Sequence, residues 1–144
     1  MSDVFGFLSV MKTTFLLSRW VEEEKEEMLC DEFNVGPGDI YRHTESMGWL
    51  LHAALAIAEL FGLHKLTFPL EDMRQRIKYG IKEELLELVR LKGIGRIRAR
   101  NLYGEGYKKL TDLKHASVED IAGVAQIGKA LAKDILNQIN SASH

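Results

Sequence analysis

Lys92-Gly93-Ile94-Gly95-Arg96-Ile97-Arg98-Ala99-Arg100 is the stretch that decides how this chain folds. Ahead of it, Ile81 to Leu91 is patterned as a short amphipathic helix, and Arg96 opens a second one. Two helices joined by Gly-Ile-Gly make a tight hairpin. The glycines permit backbone conformations and close approaches that a side chain would block, while Ile94 plugs the gap between the helices. Ala99, one turn in, is small enough to let them pack closely. The second helix begins with N–H groups that have no partner inside the helix, so its start is a site for an anion such as phosphate. Taken alone, Gly-x-Gly is weak, because such glycines also end helices.

The pattern gains weight because it recurs. A shift of 33 residues sets Leu88 on Ile121, Leu91 on Val124, Ile94 on Ile127, Gly95 on Gly128, Ala99 on Ala132 and Leu102 on Ile135. Every apolar or small position keeps its character, as stacked copies of one structural unit require. The copies part at one place, where Gln126 stands for Gly93. Gly128 and Lys129 are the phosphate candidates of the second turn, and the missing glycine leaves two readings of it, a weaker phosphate site or a structural element. Gly104 to Ala116 connects the copies, with Tyr107, Leu110 and Leu113 facing inward. Ser117 caps a helix from Val118 to Ala122, with Asp120 at its third position.

Working outward, the charge divides with the pattern. The chain of 144 residues carries a net charge of only -2, but residues 1–75 hold -7 and residues 76–144 hold +5. Between Arg90 and Asn101 there are five cations, Arg90, Lys92, Arg96, Arg98 and Arg100, and no carboxylate. Such a cluster raises the potential where a polyanion docks, although on composition alone it equals a solvated helix face. Its place at the Gly-Ile-Gly turn favours the polyanion. Only Pro37 and Pro69 interrupt the chain, which favours long helices and an all-α fold, a helical bundle segment followed by a double hairpin. The longest apolar stretch, Gly48 to Leu63, carries His52 and Glu59 and is too short to span a membrane. Cys30 stands alone, which points to a reducing, cytoplasmic setting. His43, His52, His64, His115 and His144 fall at spacings that make no ligand pair on a helix face, so no metal site is expected.

The first half reads as long helices. Val4 to about Met28 is unbroken, with an apolar surface so broad that it needs cover on two sides or a partner from a larger protein. The glutamates from Glu22 to Glu27 read as a solvated face. Gly36-Pro37-Gly38-Asp39 is a turn, with Asp39 the expected N-cap of a helix from Ile40 to Leu60. On that helix Arg42 and Trp49 share a face opposite the core stripe. A flat indole beside a cation suits base stacking and phosphate contact in single-stranded nucleic acid, yet spacing equally allows Trp49 to be buried by a second helical layer. Thr67 and Pro69 are expected to open the next helix, which runs to Tyr79, and Gly80 marks a domain joint. The resulting division is 1–79, 80–140 and a tail at 141–144.

The double hairpin resembles the helix-hairpin-helix domains of DNA repair and recombination proteins. Almost the whole chain resembles the C-terminal end of archaeal Hjm-type DNA helicases of superfamily II. The matching residues are Phe7 to Trp20, Gly36 to Asp39, Trp49 to His52, Tyr79 to Leu86 and Gly93 to Arg100. The resemblance implies that Ile40 to Leu60 is the family's ratchet helix, with Arg42 and Trp49 touching the bases of the translocating strand. It also implies that Arg96 to Arg100 holds emerging single-stranded DNA and restrains unwinding. These residues include no Gly-x-x-x-x-Gly-Lys-Ser/Thr loop, so no ATP hydrolysis is expected of them and no cofactor is assigned to them; ATP and Mg belong to the parent helicase by resemblance.

The expected function is sequence-independent DNA binding. Backbone amides of Gly93, Gly95 and Arg96 and the side chains of Lys92, Arg96, Arg98 and Arg100 are set against phosphates, within a 3'-5' helicase acting in replication-fork repair and recombination. Single-stranded or forked DNA is the expected partner, with the helicase motor and a second copy joined through the first helix as further ones. The rival reading is an adaptor whose hairpins dock a protein or the helicase's own motor. A nuclease subunit needs a Glu-Arg-Lys segment with flanking aspartates, and none is present.

Overall fold

The computed structural model describes residues 2–142, Ser2 by its backbone alone. His144 and the end of the expected tail lie outside the described residues. Among the described residues the regular structure is eight α-helices and two 3-10 turns, with no strand, as the all-α expectation required. They form two compact units that divide between Lys82 and Glu83.

The first unit holds α1 (Ser2–Trp20), α2 (Glu26–Phe33), α3 (Pro37–Leu60) and α4 (His64–Tyr79). Its core is Leu16, Leu17, Trp20, Val21, Leu29, Ile40 and Ile77, with Phe33, Met47 and Leu51 packed against it. Each such side chain contributes roughly 1.5–3 kcal/mol by leaving water. The Trp20 indole N–H donates to the Ile77 carbonyl at 2.8 Å. Gly80 then ends α4 in the left-handed region, φ +64, where a Cβ would stand 2.4 Å from the Trp20 ring. Only glycine fits there. The N-terminal part of α1 is different, since Val4, Phe5, Phe7, Leu8, Val10, Met11 and Phe15 are all exposed.

Four local expectations are corrected. The single helix from Val4 to Met28 breaks after Trp20, with Glu23 at φ +65. A continuous helix would stack Glu22 on Glu26 and Glu23 on Glu27, pairs of like charge one turn apart. The break instead lets Arg19 bind Glu24, through Nε at 2.8 Å, and also Glu32. Asp39 is not the N-cap of α3. Gly36 holds that place, Pro37 follows at the first turn, and the Asp39 carboxylate accepts the Gly36 N–H at 2.9 Å from inside the helix. That bond, and then Arg42, hold its carboxyl below the usual carboxylate range. Thr67 and Pro69 do not open α4, which begins at His64, and the buried Thr67 hydroxyl has no hydrogen-bond partner. Finally, Ile81 to Leu91 is not one α-helix but two 3-10 turns, Glu83–Leu85 and Leu88–Arg90. Leu85, Leu88 and Leu91 are spaced by three, the 3-10 period, and all three are buried.

The second unit continues with α5 (Arg96–Gly104), α6 (Leu110–Lys114), α7 (Val118–Ala122) and α8 (Lys129–Ser141). Five of the six pairs set by the 33-residue shift are matched in burial, since Leu88, Ile121, Leu91, Val124, Ile94, Ile127, Ala99, Ala132, Leu102 and Ile135 are all buried, while the sixth pair, Gly95 and Gly128, is not buried and caps α5 and α8. Leu113 of the connector joins this core. Ser117 caps α7 as its spacing requires, its hydroxyl accepting the Asp120 N–H at 3.1 Å while the Asp120 carboxylate takes the Ser117 hydroxyl at 2.7 Å.

Candidate nucleic-acid interface

The first hairpin turn is built on Leu91-Lys92-Gly93-Ile94. The Ile94 N–H closes it onto the Leu91 carbonyl at 3.1 Å, and Gly93 stands at φ +83, the geometry of a type II turn. A Cβ on Gly93 would also lie 2.9 Å from Leu131 Cδ1 on α8. From the same helix the Gln138 side-chain amide grips Lys92, accepting its N–H at 2.9 Å and donating to its carbonyl at 3.3 Å. Two of the turn's amides are thus satisfied internally. No hydrogen bond of the described residues engages the Gly93 and Gly95 amides.

Gly95 has a different reason to be glycine. Its backbone is extended, φ -105, and nothing lies within 4 Å of where its Cβ would be. Gly128, its counterpart at the start of α8, repeats both features. Neither turn conformation nor packing within the chain demands glycine at these two caps. What they leave is open space directly before a helix N-terminus, where a ligand can approach the backbone closely.

The second turn, Val124 to Ile127, copies the first, with Ile127 N–H to Val124 carbonyl at 3.0 Å and Gln126 at φ +64. The residue opposite Gly93 is Leu131; the residue at the symmetric place on α5 is Arg98. Arg98 donates through Nε to the Gln126 carbonyl at 2.9 Å and through Nη1 to the Gly93 carbonyl at 2.8 Å. Asn101 adds a bond to the Ala125 carbonyl at 3.0 Å. One guanidinium therefore ties the two turns to each other.

The other candidates divide by position. Lys92 and Arg90 are exposed beside the first turn and have no carboxylate partner among the described residues. Arg96 is the first residue of α5 and half-buried. Arg100 pairs with Glu84 at 2.9 Å and lies over the Tyr103 ring. Lys129 is exposed at the start of α8. Arg42 and Trp49 belong to the first unit, on α3. Arg42 pairs with Asp39 one turn earlier, and Trp49 is 73% exposed, so the second helical layer that spacing allowed does not bury it. Sequence reasoning missed Arg98 as a tie and Gln138 as a clamp. Gly93 is only five residues from Arg98, but the Gln126 carbonyl lies 28 residues from Arg98 and Lys92 lies 46 from Gln138, relations that no local pattern records.

Residues 2–80 match the model of archaeal helicase domain 4. The chain belongs to this archaeal helicase family. Residues 85–141 match the tandem helix-hairpin-helix family, the same segment in which the two turns were found. Relatives include the ATP-dependent DNA helicases Hel308 of Methanocella arvoryzae, 41% identical over 92% of this chain, and of Pyrobaculum calidifontis, 38% identical over 92%. That of Pyrococcus horikoshii is 38% identical over 95%. The chain spans only 18–19% of the length of these three relatives. Arg42 and Trp49 of this chain lie in the segment that matches archaeal helicase domain 4, and the basic turn lies in the segment that matches the helix-hairpin-helix tandem. No helix among the described residues is long and apolar enough to cross a membrane.

Proposed function

We propose that this chain is a sequence-independent DNA-binding part of an ATP-dependent 3'-5' DNA helicase acting in replication-fork repair and recombination. In this reading ATP and Mg are bound by motor domains elsewhere in the parent protein. The observation that carries it is the first hairpin turn, where the Gly93 and Gly95 amides engage no hydrogen bond of the described residues and open space lies beside Gly95 at the start of α5, next to Lys92 and Arg96. Amides, a helix N-terminus and cations together suit phosphate oxygens and read no base. Lys92, Arg96, Arg100 and, from the second turn, Gly128 and Lys129 supply the contacts, while Arg98 acts through the turns it ties. Arg42 and Trp49 meet single-stranded DNA at the first unit, by stacking and charge.

Titration of a labelled single-stranded oligonucleotide at increasing salt tests this. Neutralising about four phosphates gives a log-log slope of roughly -0.7 times four, near -3. A flat response refutes the reading. The exposed apolar side of α1, with Phe5 79% exposed, supports a second role, docking against the helicase motor or a second copy. Light scattering across a concentration series separates a self-associating chain from a monomeric one.

A further inference from the structure

Residues 3–15 of α1 stand outside the core of their own unit, all of them exposed except Thr13, which is half-buried. A helical stretch of that length is marginal in water without cover. Burial begins at Leu16, and Leu16, Leu17 and Trp20 hold the end of the helix to its unit. At about 100° per residue those three share one side of α1, and the opposite side carries Val4, Leu8, Met11 and Phe15.

Steps of four, three and four residues make the heptad seam by which two helices interlock. Each of the four side chains is exposed, Phe15 at 56% and Leu8 at 55%. Phe5 and Phe7 flank the seam, and Lys12 is the only charge between Val4 and Phe15. Such a seam fits a helix of the same chemistry, and the chain supplies one. Laid antiparallel on a second copy, with the two-fold axis between Ser9 and Val10, Val4 meets Phe15 and Leu8 meets Met11, each pair occurring twice. The largest side chain of the seam then faces the smallest and the two of middle size face each other, so the layers have even volume. A parallel pair sets Phe15 on Phe15 and Val4 on Val4, one layer overfull and one thin. The antiparallel pair also brings Lys12 beside the ring of Phe5 on the second copy. Val4, Phe5, Phe7, Leu8, Met11 and Phe15 together offer roughly 600 Å² per chain, or about 1,200 Å² in the pair, the lower bound of specific interfaces.

We propose that two copies of this chain associate through an antiparallel pair of α1 helices, the seam of Val4, Leu8, Met11 and Phe15 closing on itself. This rests on the docking role proposed for α1 and commits it to one occupant; it does not depend on DNA binding.

Light scattering on the whole chain across a concentration series tests the pair. Leu8→Lys and Met11→Glu each place an unpaired charge in the seam twice, by symmetry, and weaken association by about a hundredfold or more. Val10→Glu, equally exposed but off the seam, stays within about threefold of the parent chain. An equimolar mixture of L8K and M11E sets lysine against glutamate and associates at least about tenfold more tightly than either variant alone, which also shows that both are folded. No recovery in the mixture overturns the antiparallel register. A loss in V10E equal to that in L8K overturns the seam. A parent chain that stays monomeric overturns the pair, and anilinonaphthalene sulfonate, a dye that fluoresces on open apolar surface, then separates the readings. Dye fluorescence that M11E abolishes leaves the α1 face open to the helicase motor, so the docking role stands; absence of dye binding overturns the docking role along with the pair.

Discussion

Arg98→Ala separates two roles for the same guanidinium, because a tie between turns and a phosphate ligand fail in different ways. The side chain makes two bonds to carbonyls, 2.9 Å to Gln126 and 2.8 Å to Gly93. Hydrogen bonds from a charged donor are worth about 1.5–3 kcal/mol each, and half-exposure brings these to the low end, since water re-pairs the freed carbonyls. A loss of about 2–3 kcal/mol is expected. In a domain of this size each 1 kcal/mol moves the midpoint by about 4–8 °C, so the second unit should melt roughly 10–20 °C earlier in calorimetry. Arg98→Lys keeps the charge but not the planar fork, and one ammonium replaces one of the two bonds, recovering about half. The salt slope of oligonucleotide binding should stay as in the parent chain for both variants at temperatures where they are folded. If R98A melts like the parent and its slope becomes shallower by about 0.7, the guanidinium serves phosphate and the tie is wrong.

Other outcomes follow from the same geometry. Gln126→Gly relieves a side chain held at φ +64 and should stabilise the second unit by about 0.5–1 kcal/mol, after the entropy that glycine adds to the unfolded chain; thermal denaturation reads it, and destabilisation would show that the Gln126 side chain matters in itself. Trp49→Ala should lower single-strand affinity by about tenfold while changing stability by no more than about 0.5 kcal/mol, because the ring is exposed. Bonds from Ser117 hold the Asp120 carboxyl below its ordinary value, so its contribution to stability is complete above the unfolded pKa of about 4 and is lost as pH falls through the lowered folded value. Asp120→Asn should flatten that part of the acid limb in a pH series of melting curves.

How much was legible in the sequence depends on how local the cause was. The 33-residue repeat fixed the second unit's core because burial and smallness are properties of single positions, and the Ser117 cap needed only three residues. The all-α fold and the helix carrying Arg42 and Trp49 were equally open to view. Boundaries failed where distant partners decided them. Nothing near Glu22 announces that Arg19 will reach Glu24 and Glu32 across a break. The 3-10 turns were written in the spacing of Leu85, Leu88 and Leu91, but an amphipathic helix explains the same residues until packing selects the tighter winding. Exposure of Trp49 was beyond reach, since spacing gives the face and not its cover.

The two turns share a backbone and differ in what leans on them, and this asymmetry accounts for the one residue by which the repeat is broken. At the first turn Leu131 packs so close that a Cβ would collide, and glycine is fixed by both space and φ. At the second turn the symmetric place belongs to Arg98, which donates to the Gln126 carbonyl, and Gln126 itself is exposed. A non-glycine residue is tolerated there at the expense of left-handed strain alone. The turn that must be glycine is also the one clamped by Gln138 and flanked by the Arg90 to Arg100 cluster. Rigidity and positive charge therefore converge on Gly93 to Arg96, while the second hairpin braces that turn through Arg98. In the proposed DNA-binding reading, such bracing presets the Gly93 and Gly95 amides, so less ordering is left to be done on binding.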